Sequence, residues 1–85
     1  MKSTYTEAYQ LLLSSIEKAR KESKMTQAEV ANKLGQYQSY IAKIENGERR
    51  IDLIEFLEIA RLISLDPHEM IKNIQNLANM NIDSK

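Results

Sequence analysis

The sequence contains no cysteine and no tryptophan, and its 85 residues include one proline, two glycines, one phenylalanine and one histidine. Without cysteine there is no disulfide framework and no thiolate metal site, a composition that suits a reducing cytoplasm, where the protein is expected to reside. The lone histidine, His68, sits at a predicted helix start with no partner for base or ligand chemistry and reads as a surface or capping residue. No glycine-rich phosphate loop occurs, and the acidic residues are accounted for as helix caps and helix-face charges. Neither an enzyme nor a metal or other cofactor is therefore expected. No apolar run approaches the roughly 20 residues of a membrane span. Leu11-Leu12-Leu13 lacks a small-residue cleavage site and is followed by charge, so it does not read as a signal peptide, and no membrane partner is expected.

Net charge of one sign is missing as well, the formal total being zero. Its distribution is uneven: residues 1–50 hold nine Lys and Arg against six Asp and Glu, and residues 51–85 hold three against six. A mildly basic half facing an acidic one implies weak non-specific attraction to a polyanion. Charge alone would not nominate one.

What is present is helical periodicity. A chain of this length supports one domain around a single modest core. Residues 1–78 are expected to form it, with 79–85 as a flexible tail. Thr4 and Glu7 offer a capping box for a first helix with apolar positions Leu12, Ile16 and Ala19; the basic cluster Lys18, Arg20, Lys21 and Lys24 at its end suits the helix macrodipole. Asp52 and Glu55 offer another box, opening a helix whose Leu53, Phe56, Leu57, Ala60 and Ile63 are expected to face inward. Ile54, Ile59 and Leu62 make it apolar around much of its girth. Asp66-Pro67-His68-Glu69 combines an N-cap, a proline at the first helical position and a capping glutamate, starting a last helix over about 67–78.

Between these lies Thr26 to Asn46. Thr26 and Glu29 form a capping box, and Val30, Ala31 and Leu34 mark a short apolar stripe that Gly35 ends. A second stripe at Tyr37, Ile41 and Ile44 is closed by Gly47. Two helices of two to three turns with so little between them must cross steeply, and Ala31 is small enough to allow it; this is the sequence form of a helix-turn-helix. The outer face of the second helix carries Gln36, Gln38, Ser39, Tyr40, Lys43 and Asn46. A merely solvated face would favour Glu and Lys over Gln-Tyr-Gln-Ser-Tyr. Glutamine addresses adenine bidentately in the major groove, serine bonds either partner, and lysine suits guanine or phosphate. The adjacent Arg49 and Arg50 fit phosphate contact, which positions a protein without reading sequence. Their plainer reading is ordinary surface charge.

Gln27, Ala31, Gly35, Ile41, Ile44 and Glu45-Asn46-Gly47 resemble the helix-turn-helix of the lambda-repressor-like, Xre/Cro-type DNA-binding domains, a similarity running from about Ile16 to Leu65. The resemblance implies an all-α, compact five-helix domain with the motif at helices 2 and 3. It implies base contact by Gln38, Ser39, Tyr40 and Lys43, with Gln27 on a phosphate. With Gln36, Tyr37, Asn46, Arg49 and Arg50, Gln27 makes up the expected DNA-backbone set. It also implies an ion pair between Arg20 and Glu45. Ile51 stands where the family often has proline and Ser64 where it often has glycine. Ile71, Leu77 and part of the Ile54, Ile59 and Leu62 set are more apolar surface than one small core needs, which points to a homodimer through the last helix with Ile71, Ile74 and Leu77 at its interface. The expectation is thus a sequence-specific double-stranded DNA-binding transcription regulator, a dimeric repressor acting by promoter occupancy, since the chain shows no sensing or activating domain. The alternative is a protein-interaction module on the same fold, an antitoxin or co-regulator with a protein partner.

Overall fold

A computed structural model describes residues 6–83. These form five helices, α1 (Glu7–Glu22), α2 (Gln27–Lys33), α3 (Gln38–Glu45), α4 (Leu53–Leu62) and α5 (Pro67–Asp83), and among the described residues no strand. α2 packs on α3, and α1 packs on both α5 and α3.

Local chemistry fixes where each helix starts. The Thr26 hydroxyl accepts from the Glu29 amide at 3.0 Å while the Glu29 carboxylate accepts from the Thr26 amide at 2.8 Å, and Asp52 and Glu55 repeat the arrangement at 2.7 and 3.0 Å. Asp66 accepts from the amides of His68 and Glu69. α1 differs from expectation. Its cap is Thr6, which accepts from the Tyr9 amide, so Glu7 is the first helical residue and not the third; Thr4 lies outside the described residues.

The ends of α1 to α4 share one device. After each, a residue at positive φ turns the chain so that the amide two residues past the cap bonds back to the carbonyl three residues before it. Gln36 bonds Ala31 at 2.9 Å, Glu48 bonds Lys43 at 2.9 Å, Met25 bonds Arg20 at 3.1 Å and Leu65 bonds Ala60 at 2.9 Å. Gly35 and Gly47 take the left-handed position at φ +70° and +78°, but Lys24 and Ser64 take it at +59° and +58°. At each a side chain crowds the backbone at a cost of about 1 kcal/mol or more. The Ser23 hydroxyl donates to the Ile63 carbonyl at 2.7 Å, tying the two non-glycine ends together.

The core is formed by Leu13, Ile16, Val30, Ala31, Ile41, Ile44, Phe56, Ile59, Ala60, Ile63 and Met70. Several residues expected inward are not buried. Leu13 replaces Leu12, which is half-buried, as the buried leucine of α1. On α4, Ile59 is buried whereas Leu53 and Leu57 are exposed, Leu53 at 61%. Because α4 is apolar almost all round, its sequence pattern could not choose between two flanks that lie about 60° and about 100° from Phe56, and the flank carrying Ile59 is the one that joins the shared core. Tyr37 is 86% exposed and serves as the N-cap residue of α3, so the inner stripe of that helix is Ile41 and Ile44 alone. The last helix does not stop near 78 but continues to Asp83. Neither glycine nor proline follows Pro67 in it, and asparagines at 79 and 81 each weaken a helix by less than about 1 kcal/mol.

Candidate nucleic-acid interface

α3 is held from behind and presented in front. Ile41 and Ile44 are at most 1% exposed, whereas Gln38, Ser39 and Lys43 on the same helix, Gln36 and Tyr37 before it and Asn46 after it are all exposed. Asn46 bonds Glu48 weakly, at 3.4 Å. The N-cap residue Tyr37 offers no side-chain acceptor to the first turn of α3.

The C-terminal end of α3 is clamped by a buried ion pair. Arg20 Nε lies 2.7 Å from Glu45 Oε2 and Nη2 lies 3.0 Å from Oε1, with the two side chains 9% and 3% exposed. Arg20 Nη1 also donates to the Met25 carbonyl at 2.9 Å, so one guanidinium joins α1, the turn into α2 and α3. The bonds to Glu45 push the arginine's pKa up despite the opposing effect of burial. Glu45 Oε1 accepts a further bond from Gln27 Nε2 at 2.9 Å, and Gln27 Oε1 accepts from Gln38 Nε2 at 3.3 Å. Gln27 and Gln38, assigned separately from sequence, therefore touch one another and connect to the buried pair.

Tyr40 lies elsewhere. Half-buried and packed on the core, its ring sits 4.8 Å beneath the Arg49 guanidinium, which in turn makes a bidentate pair with Glu55 at 3.1 and 2.9 Å. Burial and the nearby Glu55 charge push the Tyr40 hydroxyl up to about 12. The bonds from Arg49 and from the Asp52 amide hold the Glu55 carboxyl down to about 2. Arg49 thus has an internal partner, and the cluster ties Tyr40 in the first half of α3 and the loop after that helix to the first turn of α4. Arg50 stacks 4.9 Å over Tyr9, whose hydroxyl oxygen accepts the Ile51 amide at 3.1 Å.

Two cations of the α1 end belong to this surface although their sequence setting explained them as dipole partners. Lys21 and Lys24 line a shallow groove with Thr26, Gln27 and Gln38. Lys21 pairs with Glu17 at 2.9 Å, while Lys24 has no ion-pair partner among the described residues. The sequence signal was their place just ahead of the Thr26 cap.

On another side, Leu12, Ile51, Leu53, Phe56, Ile71 and Ile74 line an apolar groove between α4 and α5. Ile71 is exposed, Ile74 and Leu77 are half-buried, and Ile54 is 64% exposed nearby in sequence. No helix of the described residues is long and apolar enough to cross a membrane, and none of their His, Asp and Glu side chains form a metal-binding group.

Residues 16–70 match the helix-turn-helix family, well over half of the chain. A solved structure, an XRE-family like protein from Pseudomonas syringae pv. tomato str. DC3000, is similar at 40% identity over 82% of this chain and 85% of that one, with a TM-score of 0.76. No curated protein matches the sequence. The chain belongs to the XRE-type helix-turn-helix family, a family of DNA-binding transcription regulators.

Proposed function

We propose that this protein is a sequence-specific regulator of transcription that lays α3 in the major groove of double-stranded DNA, and that it does so as a homodimeric repressor on a palindromic operator. The observation that carries the reading is the division of α3 between a fully buried face and an exposed face bearing Gln38, Ser39 and Lys43. These three are the base-reading set, with amide, hydroxyl and ammonium groups suited to base edges. Tyr40 contributes by bracing the helix and by the rim of its ring. Gln27, Gln36, Tyr37, Asn46 and Arg50 are the backbone-contact set, joined by Lys24, and Arg49 reaches a phosphate only at the expense of its pair with Glu55.

The apolar groove along α4 and α5, together with Ile71, Ile74 and Leu77, supports a two-fold pairing of chains. Two recognition helices would then enter successive major grooves about 34 Å apart. Occupying a promoter in this way excludes polymerase without a further domain. The same apolar surface favours the second reading, in which a partner protein covers it and DNA binding is subsidiary.

Selection of bound sites from random duplexes tests the proposal. The expected product is a palindrome with half-sites one helical turn apart, and Ile71→Glu should weaken its recovery more than that of a single half-site. Folded wild-type protein that enriches no site overturns DNA reading and favours the protein-partner alternative.

A further inference from the structure

We infer that Glu55 is a positioning residue that sets affinity for DNA of any sequence: its carboxylate stands in for a phosphate and withholds Arg49 from the duplex. The inference rests on the proposed reading of α3 as the element that meets DNA. It concerns a cation beside that helix which the fold keeps occupied.

The Arg49 amide donates to the Lys43 carbonyl at 3.2 Å, which fixes its backbone against the last turn of α3. Its guanidinium lies 4.8 Å from the centre of the Tyr40 ring. Tyr40 and Lys43, three residues apart, are neighbours on the helix surface, and Lys43 belongs to the exposed face. The guanidinium therefore stands at the border of the face offered to DNA. It is already engaged. Nη1 and Nη2 donate to the two Glu55 oxygens at 3.1 and 2.9 Å, and Nη1 also donates to the Arg50 carbonyl at 3.1 Å. The planar fork of an arginine meets a carboxylate and a phosphate with the same paired geometry, so the two anions compete for one group.

Glu55 is anchored for that competition. Its Oε1 also accepts the Asp52 amide at 3.0 Å as part of the capping box of α4, so the helix start holds the carboxylate in place. Exposure separates this pair from that of Arg20 and Glu45, whose side chains are 9% and 3% exposed and which clamps helices together. Arg49 and Glu55 are 41% and 21% exposed, so a phosphate can approach the guanidinium. A partly exposed pair adds little to stability, and its main consequence falls on what else the cation could touch. In a chain whose formal net charge is zero, one cation more or less weighs heavily on an attraction supplied by phosphate contacts.

The test measures binding of the full chain to a duplex of random sequence by fluorescence anisotropy, from about 50 to about 200 mM salt. Glu55→Gln keeps the helix cap, since glutamine serves at the third helical position as glutamate does, but offers the guanidinium one neutral acceptor in place of two charged ones. It should tighten binding roughly three- to ten-fold at the low-salt end and steepen the log–log salt slope by about 0.9, the mark of one added phosphate contact. In an Arg49→Gln background the same substitution should leave the slope unchanged and alter affinity by less than about two-fold, because the gain passes through Arg49. A merely structural role for Glu55 would shift the melting temperature and not the slope. An unchanged slope in Glu55→Gln overturns the inference, and so does an equal gain in both backgrounds, which marks simple repulsion by the Glu55 charge. If instead folded wild-type protein binds neither this duplex nor a selected site, it is the reading of α3 itself that fails.

Discussion

Replacing Arg20 with alanine should be among the most damaging single changes in the chain. The substitution removes two bonds to Glu45 and one to the Met25 carbonyl, and leaves a carboxylate with a side chain 3% exposed and only Gln27 as a donor. Stranding one partner of a buried pair costs about 3 to 5 kcal/mol. A domain of this size has only about 4 to 13 kcal/mol in total. Lys21→Ala, one residue away, breaks an exposed helical pair with Glu17 worth about 0.5 kcal/mol or less. At about 4 to 8 °C per kcal/mol, Arg20→Ala should melt at least about 12 °C below wild type, with Lys21→Ala only a few degrees below it. Thermal unfolding followed by circular dichroism reads both. The double variant Arg20→Met with Glu45→Leu should recover most of the loss, because an apolar pair of similar volume leaves no charge unpaired. Arg20→Ala and Lys21→Ala melting within about 2 °C of each other would refute the reasoning.

Lys24→Gly and Ser64→Gly should each raise stability by roughly 0.5 to 1 kcal/mol, since both positions sit at left-handed φ. Only Lys24→Gly should also flatten the salt dependence of DNA binding, by about 0.9 in the log–log slope for one lost phosphate contact. Gly35→Ala should cost about 1 to 2 kcal/mol in denaturant midpoint through φ alone, because an added Cβ meets nothing within 4 Å. Glu55 is held below its ordinary 4.5, so the stability it contributes is present above that value and is lost as pH falls towards about 2. The gap in melting temperature between wild type and Glu55→Gln should therefore close across that window. Tyr40 is held above its ordinary 10, so its contribution is present below that value and lost as pH rises towards about 12. Tyr40→Phe should remove the tyrosinate absorbance step near about 12.

Much of the fold was legible because its signals are local. A cap and its partner three residues on, a proline at a helix start and a glycine at a helix end each declare themselves within a few positions, as at Thr26, Asp52, Asp66 and Gly35. Lys24 and Ser64 end their helices in the glycine conformation without being glycine, so local preference pointed away from what packing imposed. At Ser64 the family pattern already expected glycine. α4 carries apolar residues on nearly every side, so its buried face depended on the neighbouring helices. On α3 the helical period separated Gln38, Ser39 and Lys43 from Ile41 and Ile44. Tyr40 borders the buried arc, where period alone does not decide, and its partners Arg49 and Glu55 come from beyond the helix. The ion pair between Arg20 and Glu45 spans 25 residues and was expected only through family resemblance. The bond from Gln27 to Glu45 had no sequence signal at all, since an amide fits equally well on a phosphate.

Whether α3 is the element that meets the duplex is the central claim, and heteronuclear NMR of the labelled protein titrated with a selected duplex addresses it most directly. The backbone amides of Gln38, Ser39 and Lys43 and the side-chain amides of Gln27 and Gln38 should show the largest changes, with any change on Ile71 and Leu77 secondary to pairing of chains. Saturable binding that leaves those α3 resonances unmoved, and shifts only the outer residues of α4 and α5, would contradict the account.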